Sequence, residues 1–293
     1  MSDHPFFTVI TPVYNRSEIV VETILSVLNQ QFSDFEYILI NDASTDDSLK
    51  VLNAFAQQDQ RIRVIDLKQN EGRCFARNQG LKNAKGDWIC YLDSDDLYYT
   101  DHLSTMYNSI KENADFKAFA VDQHINSILK KYRRSELHKD RIILTLGDFI
   151  EDNPLTANQL CHAREIPVSW SDERIPISED WLFLRTIVNS FPIFKRAHVT
   201  NNLRDHSERS MNTADSSSFV KYNLLASKKF IRENNISKEF QSRIEAYTLV
   251  LCVNVLLKHK QKKAAFRLFK KCLKLSRSYR YSIFYKAIFK FFL

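Results

Sequence analysis

The chain has 293 residues, 44% of them hydrophobic, with four glycines and a formal net charge of +7. That length and apolar content suit one α/β domain with a smaller appendage, or two modest domains, with material for a sizeable core. Twelve of the 42 Lys and Arg lie between Lys258 and the end, where there is no Asp or Glu; the other 30 face 35 acids, a charge of −5, so the basicity belongs to the tail and predicts an anionic surface as its partner.

Phe6–Thr11 reads as a short strand closed by Pro12. Glu18–Gln30 carries apolar residues at helical spacing, with Ser17 as its N-cap. Tyr37–Ile40 is a second apolar strand ending at Asn41-Asp42, and a helix follows from Asp46 or Asp47 to about Gln58. Arg63–Leu67 is a third strand, Asn70-Glu71-Gly72 a turn, Cys74–Asn83 a helix that stops near Gly86, and Asp87–Leu92 a fourth strand. Alternating strands and helices call for a parallel sheet covered on both faces, and continuous apolar strands fit such burial. Ligands of such sheets bind beyond the carboxyl ends of the strands. Here those ends carry Asp42, Asp66 and Asp93. Further on, Phe116–Asp122 reads as a strand, Lys130–Asp140 as an exposed connection, Glu179–Asn189 as a helix and Phe191–Leu203 as one or two strands. From Ser216 onward the pattern is helical, without Pro or Gly.

Five cysteines with no CxxC pair argue for a reducing compartment, and against a disulfide framework or a zinc site. The apolar run near the N-terminus is short for a signal peptide, and no stretch approaches the ~20 apolar residues of a bilayer span. The expectation is a cytosolic protein.

The stretch YLDSDD at 91–96 places three acids at the end of a core strand. In an extended chain residues i and i+2 project to one side, so Asp93 and Asp95 converge while Ser94 turns away. A hard divalent ion, Mg²⁺ or Mn²⁺, resolves their repulsion and can hold a diphosphate. A solvated acidic turn is the plainer alternative for an isolated triplet. Asp96 is expected to point elsewhere and to cap a helix starting near Thr100.

The triplet is not isolated. VITPVYNR at 9–16, ILINDASTDDS at 38–48, NEGRCFARNQGL at 70–81 and YLDSDD at 91–96, in this order, resemble glycosyltransferase family 2. The resemblance implies a GT-A fold, a Rossmann-like mostly parallel sheet sandwiched by helices, over residues 1–215, with a helical C-terminal extension over 216–293. It implies an inverting transferase that uses a nucleotide-diphosphate sugar. By the same resemblance Thr11, Pro12 and Tyr14 line the nucleoside pocket, with Tyr14 packed on the base. Asp42 accepts from uracil N3–H, and Asn70 and Arg77 flank base and ribose at the Gly72 turn. Asp93 faces ribose and metal with Ser94 beside it, and Asp95 is the principal metal ligand.

SEDWLF at 178–183 resembles the family's acidic pair, which implies Asp180 as the catalytic base and Glu179 as an acceptor-binding neighbour. LRDHSERSMN at 203–212 resembles the segment whose His completes the metal and diphosphate shell. Here that is His206, with Ser210 in pattern and Arg209 within reach of a phosphate. No QxxRW motif is present, so a non-processive enzyme is expected. The implied donor is a UDP-sugar and the implied acceptor a cell-surface glycan, free or lipid-linked. Residues 266–293 put aromatics on one helical face amid lysines, which predicts peripheral docking on an anionic membrane surface at the inner face; a terminal helix packed on the catalytic domain, or a dimer contact, is the plainer alternative. Nucleic acid is not the expected partner, and an oligomer stays open. The rival readings are a silent nucleotide-sugar-binding scaffold, a nucleotidyltransferase (which would carry a Gly-rich phosphate loop where residues 9–16 hold no Gly) and nucleic-acid binding by the tail.

Overall fold

The computed structural model describes residues 4–127, 142–150, 153–171, 175, 177–205 and 215–275. The exposed connection expected at Lys130–Asp140, His206 with Arg209 and Ser210, and the aromatic tail beyond Leu275 lie outside the described residues. The elements are β1 Phe7–Val13, α1 Val20–Leu28, β2 Phe35–Asn41, α2 Ser48–Gln58, β3 Ile62–Asp66, α3 Arg73–Asn83, β4 Trp88–Tyr91 and β5 Leu97–Tyr98. They continue with α4 His102–Glu112, β6 Ala118–Ser127, β7 Ile143–Leu144, β8 Leu160–Ala163, α5 Glu179–Ser190 and β9 Ile193–Asp205. Three helices close the series: α6 Ser216–Glu233, α7 Lys238–Lys258 and α8 Lys262–Leu275.

The strands form a nine-stranded sheet ordered β3-β2-β1-β4-β8-β6-β9-β5, with β7 on β9. β3, β2, β1 and β4 are parallel neighbours, as expected. β8 runs antiparallel between β4 and β6, which the sequence pattern did not announce. The side chains of each central strand alternate between two cores. Val9, Tyr37, Leu39, Cys90 and Phe119 pack with Ile24 of α1 and Leu103 and Met106 of α4. Ile10, Ile38, Ile40, Ile89 and Tyr91 pack with Ala76 of α3 and Phe183 and Ile187 of α5. Burial on both faces is why these strands read as unbroken apolar runs. At Gly80 an added Cβ would lie 2.6 Å from Ile10 Cγ2, so glycine lets α3 press onto the sheet.

Several boundaries differ from expectation for local reasons. β1 runs through Pro12 to Val13. The Ile10 carbonyl accepts from Leu92 N–H and the Val13 carbonyl from Asp42 N–H, so alternation turns the Pro12 nitrogen toward β4, beyond its last pair, Ile10 with Tyr91. No donor is missed there. Ser17 does not cap α1; its N–H goes to Asp46 Oδ2 at 3.1 Å. The neighbouring Asn15 and Arg16 amides bond Ser44 Oγ and Ser48 Oγ, tying the loop after β1 to the loop after β2. All five cysteines are buried thiols. The helical region joins the main core through Ala226, Phe230, Ile236 and Ile244, while Cys272 and Ala265 of α8 sit in smaller clusters on α7. Helix α7 has the length and apolarity of a bilayer-crossing helix, contrary to expectation, but 44% of its apolar window is buried inside the fold.

Candidate functional site

The carboxyl ends of β1 and β2 open onto one edge. Thr11 is buried and its Oγ1 accepts from Tyr37 O–H at 3.1 Å, so it meets neighbours more than solvent. Pro12 is buried beside it. Tyr14 leaves the sheet and is 45% exposed, which removes core packing as its task. Asp42 is 3% exposed; its two carboxylate oxygens accept Glu71 N–H at 2.8 Å and Gly72 N–H at 2.9 Å. Asp42 therefore holds the turn that starts α3. Burial raises its pKa above the usual carboxylate range, opposed by those two amides. Gly72 has φ +86°, a conformation other residues rarely adopt. Asn70 stands exposed before it.

The acidic residues after β4 are not extended. Asp96 N–H bonds the Asp93 carbonyl at 3.1 Å, so 93–96 is a turn and the i, i+2 argument does not apply. The turn nevertheless gathers all three acids, with ligand atoms within 4.8 Å of one another. Asp93, Ser94 and Asp95 are half-buried, whereas Asp96 is 1% exposed. Asp96 caps no helix. Its Oδ1 accepts Arg204 N–H at 2.8 Å and its Oδ2 accepts Asn158 Nδ2 at 2.5 Å. Arg204 also donates from Nε to the Asp95 carbonyl and pairs with Glu22, and Thr23 Oγ1 donates to the carbonyls of Ser94 and Asp96 at 2.9 Å each.

Arg77, expected beside base and ribose, is 1% exposed and faces inward. Its Nη2 donates to Asp93 Oδ1 at 2.5 Å, its Nη1 lies 3.7 Å from Glu179 Oε1, and its guanidinium carbon sits 4.1 Å from the Trp170 ring centroid. Trp170 stacks in turn on Phe183 of α5 at 4.1 Å. Asn78 fixes Trp170 by bonding both its N–H and its carbonyl. Glu179, expected to meet an acceptor, is 2% exposed and holds Arg73 Nε at 2.5 Å as well as Arg77. Burial pushes the Glu179 carboxyl up to about 7 against the pull of Arg73; the charge of Asp180 adds to the rise, Arg77 opposes it, and a hydrogen bond with Asp180 reinforces it. Asp180 follows, half-buried, in the first turn of α5.

The sequence reading missed Asn158, Asn78, Trp170 and Arg204, whose bonds reach far along the chain: 62 residues from Asn158 to Asp96, 92 from Asn78 to Trp170 and 109 from Arg204 to Asp95. Backbone strain gathers at the same edge. Asn15, Ala43 and Ser178 have φ of 50°, 53° and 69°, each just past a strand or at the head of α5.

Solved structures share this architecture. S. aureus TarS 1-349 in complex with UDP-GlcNAc is 17% identical, with TM-score 0.65 over 97% of this chain and 89% of that one. The mannosyltransferase PcManGT from Pyrobaculum calidifontis, in complex with GDP-Man and Mn²⁺, is 16% identical, with TM-score 0.64 over 99% and 88%. These likenesses establish a GT-A type fold. By sequence, an uncharacterized glycosyltransferase of Haemophilus influenzae is 40% identical over 109 residues, 37% of this chain and 44% of the relative. Glycosyltransferase GlyG of Streptococcus pneumoniae is 36% identical over 105 residues, 36% of this chain and 35% of the relative. The matches thus span less than half the length of these curated relatives. The family described as Glycosyl transferase family 2 matches residues 8–166, a span that holds Asp42, Arg77, the acidic turn and the Asn158 that grips it; the chain belongs to that family.

Proposed function

We propose that the chain is a non-processive inverting glycosyltransferase that moves a sugar from a UDP-sugar to an acceptor hydroxyl. The observation that carries this reading is the run of opposite charges Asp93–Arg77–Glu179–Arg73, which ties the acidic turn to the head of α5 where Asp180 lies. A donor held over the turn and a base at the helix head then share one rigid frame. Asp180 would take the proton from the acceptor hydroxyl as the diphosphate leaves from the opposite face. Glu179 would keep the arginines in place rather than touch the acceptor. Tyr14, by its exposure, suits packing on the base, with Thr11, Pro12, Asn70 and Ser94 around the nucleoside. Asp42 retains lone pairs for a uracil N3–H while holding Glu71 and Gly72.

The turn suits a divalent cation. Its donors are all oxygens, gathered within 4.8 Å, and Asp93 and Asp95 are less buried than Asp96. Asp95 and Asp93 would hold Mn²⁺ or Mg²⁺, with His206 as a further ligand. Such an ion supplies positive charge for the leaving diphosphate. The acceptor we infer is a glycan or lipid-linked chain at the inner membrane face, approached through the basic C-terminal stretch. The twelve bases and absent acids from Lys258 onward support attraction to anionic lipid.

Asp180→Asn tests the central reading. Turnover of UDP-sugar should fall by at least ~10²-fold with UDP affinity nearly unchanged. Normal turnover would move the base elsewhere, and equal affinity for GDP and UDP in calorimetry would remove the assigned role of Asp42.

A further inference from the structure

Asn158 stands in the short 3-10 turn Ala157–Gln159 that leads into β8, and is 1% exposed. Its side chain uses both ends on the acidic turn. Oδ1 accepts Asp93 N–H at 3.0 Å, and Nδ2 donates to Asp96 Oδ2 at 2.5 Å. The residue is itself anchored. Asn201 Nδ2 donates to its carbonyl at 3.1 Å, and the next residue, Gln159, donates from Nε2 to the Val121 carbonyl at 2.7 Å. Asp96 receives Arg204 N–H on its other oxygen at 2.8 Å.

A carboxamide meets both demands from one buried position through two fixed atoms, its oxygen accepting from the amide N–H and its nitrogen donating to the carboxylate. A second carboxylate there would repel Asp96, and an apolar side chain would remove the bonds that Asn158 makes to Asp93 N–H and to Asp96 Oδ2. We propose that Asn158 is the positioning residue of the acidic turn: it draws the Asp96 carboxylate inward, out of the metal-ligand set, and sets the backbone from which Asp93 and Asp95 reach the cation. This rests on the reading of Asp93 and Asp95 as metal ligands.

The arrangement allows a swap. With Asp96→Asn and Asn158→Asp together, the amide introduced at 96 donates to the carboxylate introduced at 158, and still accepts from Arg204 N–H. The carboxylate at 158 still accepts from Asp93 N–H. These three hydrogen bonds and the net charge are preserved. In Asn158→Asp alone two carboxylates face each other; in Asp96→Asn alone an amide donor faces another donor.

The test measures Mn²⁺ binding by paramagnetic resonance in the presence of UDP, beside the melting temperature of the metal-free protein. Each single substitution should weaken Mn²⁺ binding by roughly 10- to 100-fold, and the double variant should return to within about threefold of the native chain. Should Asn158→Asp fail to fold, Asp96→Asn and the double variant decide. A double variant that melts like the native chain but binds Mn²⁺ no better than Asp96→Asn would overturn the inference, because Asp96 would then be a ligand itself. Single variants that lose melting temperature yet keep native Mn²⁺ affinity would also overturn it, leaving Asn158 a merely structural residue. A native chain that binds no Mn²⁺ would instead sink the metal reading, and this inference with it.

Discussion

Replacing Arg77 by Met removes a charge while roughly keeping its volume. Arg77 is 1% exposed and serves two carboxylates, Asp93 at 2.5 Å and Glu179 at 3.7 Å. Removing one partner of a buried ion pair costs about 3–5 kcal/mol. Two features reduce that figure here: Asp93 is 31% exposed, and Glu179 keeps Arg73. The lost contact with Trp170 adds about 1–2 kcal/mol, and relief of the guanidinium's own desolvation subtracts. The expected loss is about 3 kcal/mol by urea unfolding at pH 8, without metal or nucleotide. At pH 6 the loss should be smaller, because Glu179, whose carboxyl already sits up at about 7, can take a proton instead of remaining a bare buried anion. Arg77→Lys should recover part of the loss, since it keeps the charge but not the flat stacking surface. A loss below about 1 kcal/mol at pH 8 would show that the guanidinium does not hold the two carboxylates together.

The Glu179 proton has its own signature. Its folded-state pKa of about 7 exceeds the usual 4.5, so its stabilising contribution is complete below pH 4.5 and is lost as pH rises through 7. Relative to Glu179→Gln, the native chain should lose roughly 2 kcal/mol between pH 5 and 7.5; parallel stability curves would mean the arginines keep it ionised throughout. Tyr14→Ala should weaken UDP by roughly tenfold at unchanged melting temperature, because the ring is 45% exposed; unchanged affinity in calorimetry would take Tyr14 out of the nucleoside pocket. Gly80→Ala should cost about 1–3 kcal/mol by forcing α3 off Ile10, and the added cost in urea unfolding should be smaller in an Ile10→Ala background, which lacks the Cγ2 that an added Cβ would meet at 2.6 Å.

Three of the four parallel strands, β1, β2 and β4, were legible because they are buried on both faces, and the edge strand β3, only partly buried, was legible from its short apolar core ending at Asp66. Helix α5 was legible from its acidic head followed by apolar spacing. β8 was not: the four residues LCHA carry little pattern, and its place depends on pairing with β4 and β6. Asp96 was misread for a related reason. A sequence places it next to a helix start, but Asn158 and Arg204, which bond its carboxylate, arrive from the turn before β8 and from β9. Arg77 was recognised as important, but its ion pairs with Asp93 and Glu179 were not legible. Spacing put it on α3, while burial beneath Trp170 turned its guanidinium toward carboxylates. Residue types were readable wherever chemistry demanded them locally; pairings across more than sixty residues were not.

The main hydrophobic core does not stop at the end of the sheet. Ala226 and Phe230 of α6 and Ile244 of α7 belong to the same cluster as Phe183, Leu184 and Ile187 of α5, and Ser178 Oγ, one residue before Glu179, donates to Asn223 Oδ1 of α6 at 2.9 Å. The boundary that composition suggests near residue 216 is therefore not a seam at which the chain can be recombined. A chimera joining residues 1–215 to the C-terminal region of another relative would expose the back of α5 and tilt the helix that carries Asp180. Val253, Leu256 and Ala265 form a smaller cluster past the middle of α7, and Val220 of α6 packs against it as well, so α6 is shared by the sheet's core and the last two helices. A substitution on the inner face of α6 must therefore be accommodated by α5 on one side and by α7 on the other.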